Sequence, residues 1–220
     1  MYFWEVIALT NNEDRLNTRD KIELVVQAGL QLIPVVGGAL SSTYFGYKNE
    51  KRFKRLETFY EEFSKRNYLD LLPLEDHDEE VLIGLIERIN EKVEHEVIEE
   101  KRLYLINYLR HTLAEPSTIK NFNERLFFIE TLGNMTTIEI DILLQIYKGE
   151  DYGTFGSILL NSYYDEYAVV GSIGRLKNYG FLLVGNPRGP IVGAPTNPIR
   201  DEVYKTSLLA DKFISFCLTE

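Results

Sequence analysis

Residues 165–185 read DEYAVVGSIGRLKNYGFLLVG, and they carry a change of periodicity. Val169, Val170, Ile173 and Leu176 recur at helical spacing, which predicts a helix over 165–179 with one buried stripe. Gly180 is its natural C-cap. The apolar run 181–184 (FLLV) then reads as a strand, and 185–190 (GNPRGP) as a turn. A return limb follows at 191–193, another extended run at 203–206 (VYKT), and a last helix over 208–218 capped by Ser207. Upstream, residues 122–131 and 137–148 each read as helices of about three turns. The second is opened by Thr136 or Thr137 with Glu139 close behind, and Gly149 ends it. Residues 154–162 make a short helix between these and the quoted stretch.

The resulting order is helix, helix, helix, strand, turn, strand. It resembles a winged helix-turn-helix domain over 117–220, on two motifs. One is the passage Leu176, Gly180, Phe181, Leu182 from helix into strand; the other is the closing step Tyr204, Thr206, Ala210, Phe213. The resemblance implies that the helix at 166–179 would lie in the DNA major groove and the turn at Arg188 against the backbone or minor groove. Ser172, Arg175, Lys177 and Asn178 are then the candidate nucleic-acid contacts on an exposed face, with Arg188 in the wing. Asp165 and Glu166 stand at the end that usually meets base edges and oppose such a contact. Winged helices also serve as protein-interaction modules, and both uses stay open here.

Residues 1–116 read differently. Phe53, Leu56, Phe59, Tyr60 and Phe63 form one stripe of a helix over 48–68. Val81, Leu82, Leu85, Ile89, Val93, Val97, Leu103, Leu105, Ile106 and Leu109 continue as a second helix over 78–113, with any bend at Glu99 or Glu100. Pro73 breaks the chain between the two. The expected fold is therefore mainly α: an antiparallel helical bundle over 1–116, then an α+β winged-helix domain over 117–220.

Ahead of the bundle, residues 24–47 (LVVQAGLQLIPVVGGALSSTYFGY) hold no charge. The run is long enough for a membrane span of about 20 residues. However, Pro34, Gly37 and Gly38 interrupt it, and Gln27, Gln31, Ser41, Ser42 and Thr43 add polar groups. The favoured reading is a buried hairpin of two short helices, and membrane insertion is the alternative. Lys48, Lys51, Arg52, Lys54 and Arg55 follow directly, and a basic run beside an apolar segment suits an anionic leaflet. Together with Ile33, Pro34, Val35, Val36, Gly37 and Gly38 these are the candidate membrane or oligomer contacts. The alternative for the basic run is a solvated helix face interleaved with Glu50 and Glu57.

The whole layout also resembles a group of bacterial abortive-infection proteins of the alpha type. It does so through the stretch from Ile33 to Gly38, the helix around Leu103, Leu105, Ile106 and Leu109, and the step from Leu132 to Ile138, Ile140 and Leu143. The resemblance implies a role in phage resistance.

The net charge is −10, with 24 basic and 34 acidic side chains. It divides as −7 for residues 1–116 and −3 for 117–220. Indiscriminate binding to nucleic acid or anionic lipid is disfavoured, while a local basic patch is not. The single cysteine, Cys217, forms no internal disulfide and suits a reducing cytoplasm; the opening run MYFWEVIALT lacks the basic start of a secretory signal. His77 sits in the acidic run EDHDEE, which reads as a solvated linker in preference to a cation loop. His95 and His111 lie about 24 Å apart if their helix is continuous. Nucleophile-elbow, zinc-helix and phosphate-loop signatures do not occur. The sequence thus points to a non-enzymatic protein without metal or cofactor, acting by contact with protein, itself or a membrane. A DNA-binding regulator is the alternative.

Overall fold

The computed structural model describes residue 29 and residues 43–66, 71–73, 76–149, 153–185 and 202–219. It is mainly helical with one small antiparallel sheet, and the chain divides into two compact units, 1–133 and 134–220.

In the first unit, α1 (Thr43–Lys65) packs on α2 (Glu79–His95), and both meet α3 (Glu99–Ala114). The stripe of α1 is buried at Leu56, Phe59, Tyr60 and Phe63, whereas Phe53, at its N-terminal end, is half exposed. Asp78 caps α2, accepting a hydrogen bond from the Val81 N–H. The single helix expected over 78–113 is instead two, broken at residues 96–98. The Glu96 N–H closes α2 onto the carbonyls of Lys92 and Val93, and its carboxylate accepts the Ile98 N–H at 2.9 Å. Val97 leaves the apolar stripe and stands exposed in the corner.

Gly29, within the uncharged segment, is buried in this unit. Its carbonyl accepts from Asn90 Nδ2 at 3.2 Å, and Asn90 Oδ1 accepts from the Tyr60 hydroxyl at 2.8 Å. A Cβ on residue 29 would overlap the Tyr60 ring, so glycine lets the backbone approach. The rest of the Pro34 and Gly37–Gly38 interruption lies outside the described residues, as do residues 30–42.

The helix α4 (Ile119–Asn134) closes the first unit. The compact units divide after Gly133, whereas the sequence reading places the domain division after Pro116. The reason is polar. Arg125 of α4 is buried, donating to the Thr112 carbonyl at 3.2 Å and pairing with Glu115 at 3.4 Å, and it also reaches Ser117 Oγ. The Tyr108 hydroxyl donates to the Arg125 carbonyl at 2.9 Å, and Lys92 pairs with Glu130 at 2.5 Å. Burying a guanidinium requires such partners, and all of them lie in the first unit. His77 is also buried here, where its Nδ1 accepts the Ser117 N–H at 3.0 Å. His77 thus departs from the expected solvated linker, whose acidic residues Asp76, Asp78, Glu79 and Glu80 are exposed.

The second unit runs α5 (Thr137–Lys148), β1 (Gly153–Thr154), α6 (Phe155–Leu160), α7 (Glu166–Asn178), β2 (Leu182–Gly185), β3 (Val203–Thr206) and α8 (Leu208–Phe213), which continues as a π-helical turn, Ile214–Leu218. The sheet order is β1-β3-β2, with Gly153 opposite Tyr204 and Leu182 opposite Thr206. β1 is too short to carry a period and went unpredicted. Thr136 and Glu139 form a capping box on α5, Thr154 and Ser157 one on α6, and Asp165 caps α7. Gly180 has φ +75°, the left-handed conformation that ends α7. Ser207 links this end to the next element: its hydroxyl donates to the Gly180 carbonyl at 2.7 Å and caps the Ala210 N–H at 3.1 Å. Val169, Ile173, Leu176, Phe181, Tyr204 and Phe213 fill the core between α5, α7 and the sheet.

Candidate functional site

Two surfaces carry the residues singled out by sequence. On α7, Ser172 is buried, which corrects its expected place on an exposed face; Asn178 is exposed. Arg175 turns back onto its own unit. Its Nε pairs with Glu139 Oε1 at 2.8 Å, and its Nη2 donates to the Asn134 carbonyl and the Tyr179 hydroxyl, both at 2.8 Å. Glu139 is almost wholly buried, and its other oxygen accepts the Thr136 N–H at 2.6 Å. The capping carboxylate of α5 is therefore also the anchor for Arg175, a double use that helical spacing did not reveal. The hydrogen bond to Tyr179 and the charge of Glu139 hold the guanidinium pKa above its ordinary value.

Lys177 Nζ pairs with Glu202 at 3.0 Å, and Glu202 also accepts the Tyr204 hydroxyl at 3.0 Å. Burial and the adjacent carboxylate push the Tyr204 phenol upward. Both described cations of α7 thus already have carboxylate partners. Around the N-terminal end of α7 stand Asp165 and Glu166 together with exposed Leu160, Tyr163 and Tyr167. Arg188 lies outside the described residues.

The second surface belongs to the first unit. Lys51, Lys54, Arg55 and Thr58 of α1, Val97 of the corner and Arg102 of α3 line an open cleft of about 350 Å³. Spacings of three and four put the α1 residues along one face, beside the buried stripe. Glu50 and Glu57 fall off that face and do not line the cleft. Arg55 donates to the Glu94 carbonyl, while Arg102 Nη1 makes only long contacts, 3.5 Å, with the carbonyls of Glu96 and Val97. Arg52 points elsewhere, donating to His95 Nε2 at 3.0 Å. Because guanidinium only donates, His95 must carry its proton on Nδ1, which donates to the Glu91 carbonyl at 2.7 Å. Lys48 lies in α1; Ile33, Pro34, Val35, Val36, Gly37 and Gly38 lie outside the described residues.

Among the described residues, no helix is long and apolar enough to cross a membrane, and no three His, Cys, Asp or Glu side chains converge as a metal site would require. Cys217 is buried in the second unit, and burial pushes its thiol pKa well up. No family model, curated protein or solved structure matches the chain.

Proposed function

We propose that this is a non-enzymatic protein acting by macromolecular contact, whose second unit is a winged helix that meets protein and not DNA. The order α5, β1, α6, α7, β2, β3 with β3 central supports the winged-helix reading. The observation that carries the choice of partner is the state of α7. Arg175 and Lys177 are paired within their own unit, so engaging phosphate would require breaking both pairs. The surface where base edges would sit offers carboxylates and exposed aromatic and aliphatic side chains, which suit a protein interface. Phage defence is the setting the sequence resemblance implies.

Two variants of the intact protein separate the readings. Leu160→Asp with Tyr167→Ser should abolish protection in a phage-challenge assay, while Lys177→Gln with Asn178→Ala should leave it intact. A gel shift with genomic fragments at low salt, where phosphate contacts are strongest, should be negative. A shift that the Lys177→Gln, Asn178→Ala variant removes would establish the DNA-binding regulator instead.

A further inference from the structure

We propose that the cleft between α1 and the α2–α3 corner is a binding site for a small, multiply charged phosphate group. Four of its six lining side chains are cationic, none is acidic, and this in a chain whose net charge is −10. Like charges gathered around one concavity repel each other, and an anion seated among them removes that repulsion. The position of Lys54 is informative: it is exposed and has no ion-pair partner among the described residues. Lys101, in the first turn of α3, is the contrast. It pairs with Glu96 at 2.6 Å in a buried contact and so belongs to the corner, not to the cleft.

A second observation is independent of charge counting. Arg102 Nε is buried and finds no hydrogen-bond partner among the described residues. With Nη1 held only by 3.5 Å contacts as well, the guanidinium of this cleft-lining residue is weakly satisfied, and a phosphate oxygen is an acceptor of the right kind for it. The α3 N-terminus adds to the same field. Ile98 at its N-cap position supplies no side-chain hydrogen bond, so the first turn keeps free N–H groups beside Val97 and Arg102. Glu99 and Glu100 in that turn are exposed and do not line the cleft.

Size and chemistry define the ligand. About 350 Å³ lies near the lower end of small-molecule sites, roughly 300–1,000 Å³, which accommodates a di- or triphosphate group and not a folded partner. Thr58 adds a hydroxyl that can donate to a further oxygen. The phosphate could be free in solution or the headgroup of a lipid; the recognising chemistry is the same.

The test is titration calorimetry of the full chain with inorganic tripolyphosphate, alongside sedimentation with vesicles of phosphatidylcholine containing phosphatidic acid. Lys54→Gln and Thr58→Val probe the cleft, and Lys120→Gln, an exposed lysine on α4, controls for the loss of one charge. Binding should weaken about tenfold in Lys54→Gln, weaken in Thr58→Val, and stay unchanged in Lys120→Gln, with unaltered melting temperatures in all three. Saturable tripolyphosphate binding without vesicle recruitment identifies a soluble phosphate. Recruitment to phosphatidic acid vesicles that depends on Lys54 identifies a headgroup. Absence of both, or a loss equally large in Lys120→Gln, overturns the proposal.

Discussion

Arg175 holds together a carboxylate and a helix end, and its removal has a calculable sign. Arg175→Ala leaves Glu139 buried with its two Thr136 hydrogen bonds and no counter-charge. Losing a partner from a fully buried pair costs about 3–5 kcal/mol. Water reaches the exposed half of Arg175, so the expected loss is about 1–3 kcal/mol, measurable by urea unfolding. The same variant would weaken any DNA shift simply by unfolding the unit, which makes Lys177 and Asn178 the cleaner probes of groove contact. His77 gives the first unit a pH dependence. Burial, then the charge of Arg125, lowers its pKa below the ordinary value of 6.5; Asp76 and the Leu113 carbonyl only partly oppose this. Below 6.5 the unfolded chain takes up a proton that the folded one refuses, so stability is full above that pH and falls beneath it. The slope approaches about 1.4 kcal/mol per pH unit until the folded group titrates. In His77→Asn, whose amide oxygen can still accept from the Ser117 N–H, urea midpoints between pH 7 and pH 5 should lose this component.

At the level of elements, what separates α2 from α3 is three residues whose letters look helical. Glu96, Val97 and Ile98 contain no glycine or proline, and the apolar rhythm runs through them, so periodicity predicts one helix. The break is held by tertiary and side-chain contacts instead: Lys101 on Glu96, Glu96 on the Ile98 N–H, Arg55 on the Glu94 carbonyl. By contrast, Thr136 and Glu139, Ser207, Asp165 and Gly180 mark their helix ends through local chemistry, and those boundaries were legible to within a residue or two. The basic run on α1 was legible as a run, but the cleft was not, because Val97 and Arg102 reach it only through the corner. Ile98 has no side-chain cap to offer α3. Ile98→Ser should therefore raise the urea midpoint by an amount equivalent to about 0.5–1 kcal/mol, since serine supplies the missing acceptor to the first turn. An unchanged or lower midpoint would mean that the Glu96 and Lys101 contacts already satisfy the corner.

Across the whole molecule, each unit closes its own core, and the polar contacts that tie each core down stay within one unit: Arg125 with Thr112 and His77 with Ser117 in the first, Glu139 with Arg175 in the second. Cys217 reports on the second core alone. It is wholly buried beside Ile214 and Leu218, and its thiol is held protonated, so an alkylating reagent reaches a thiolate only when that unit opens. The labelling rate under native conditions then measures the open fraction of residues 134–220. Arg175→Ala, at about 2 kcal/mol, should speed labelling roughly thirtyfold. Tyr60→Phe destabilises the first unit by a similar amount, because Asn90 Oδ1 loses its donor. It should leave the labelling of Cys217 unchanged if the units open separately. Equal acceleration by both substitutions would mean instead that they unfold as one cooperative body, with the separate cores being only a division of packing.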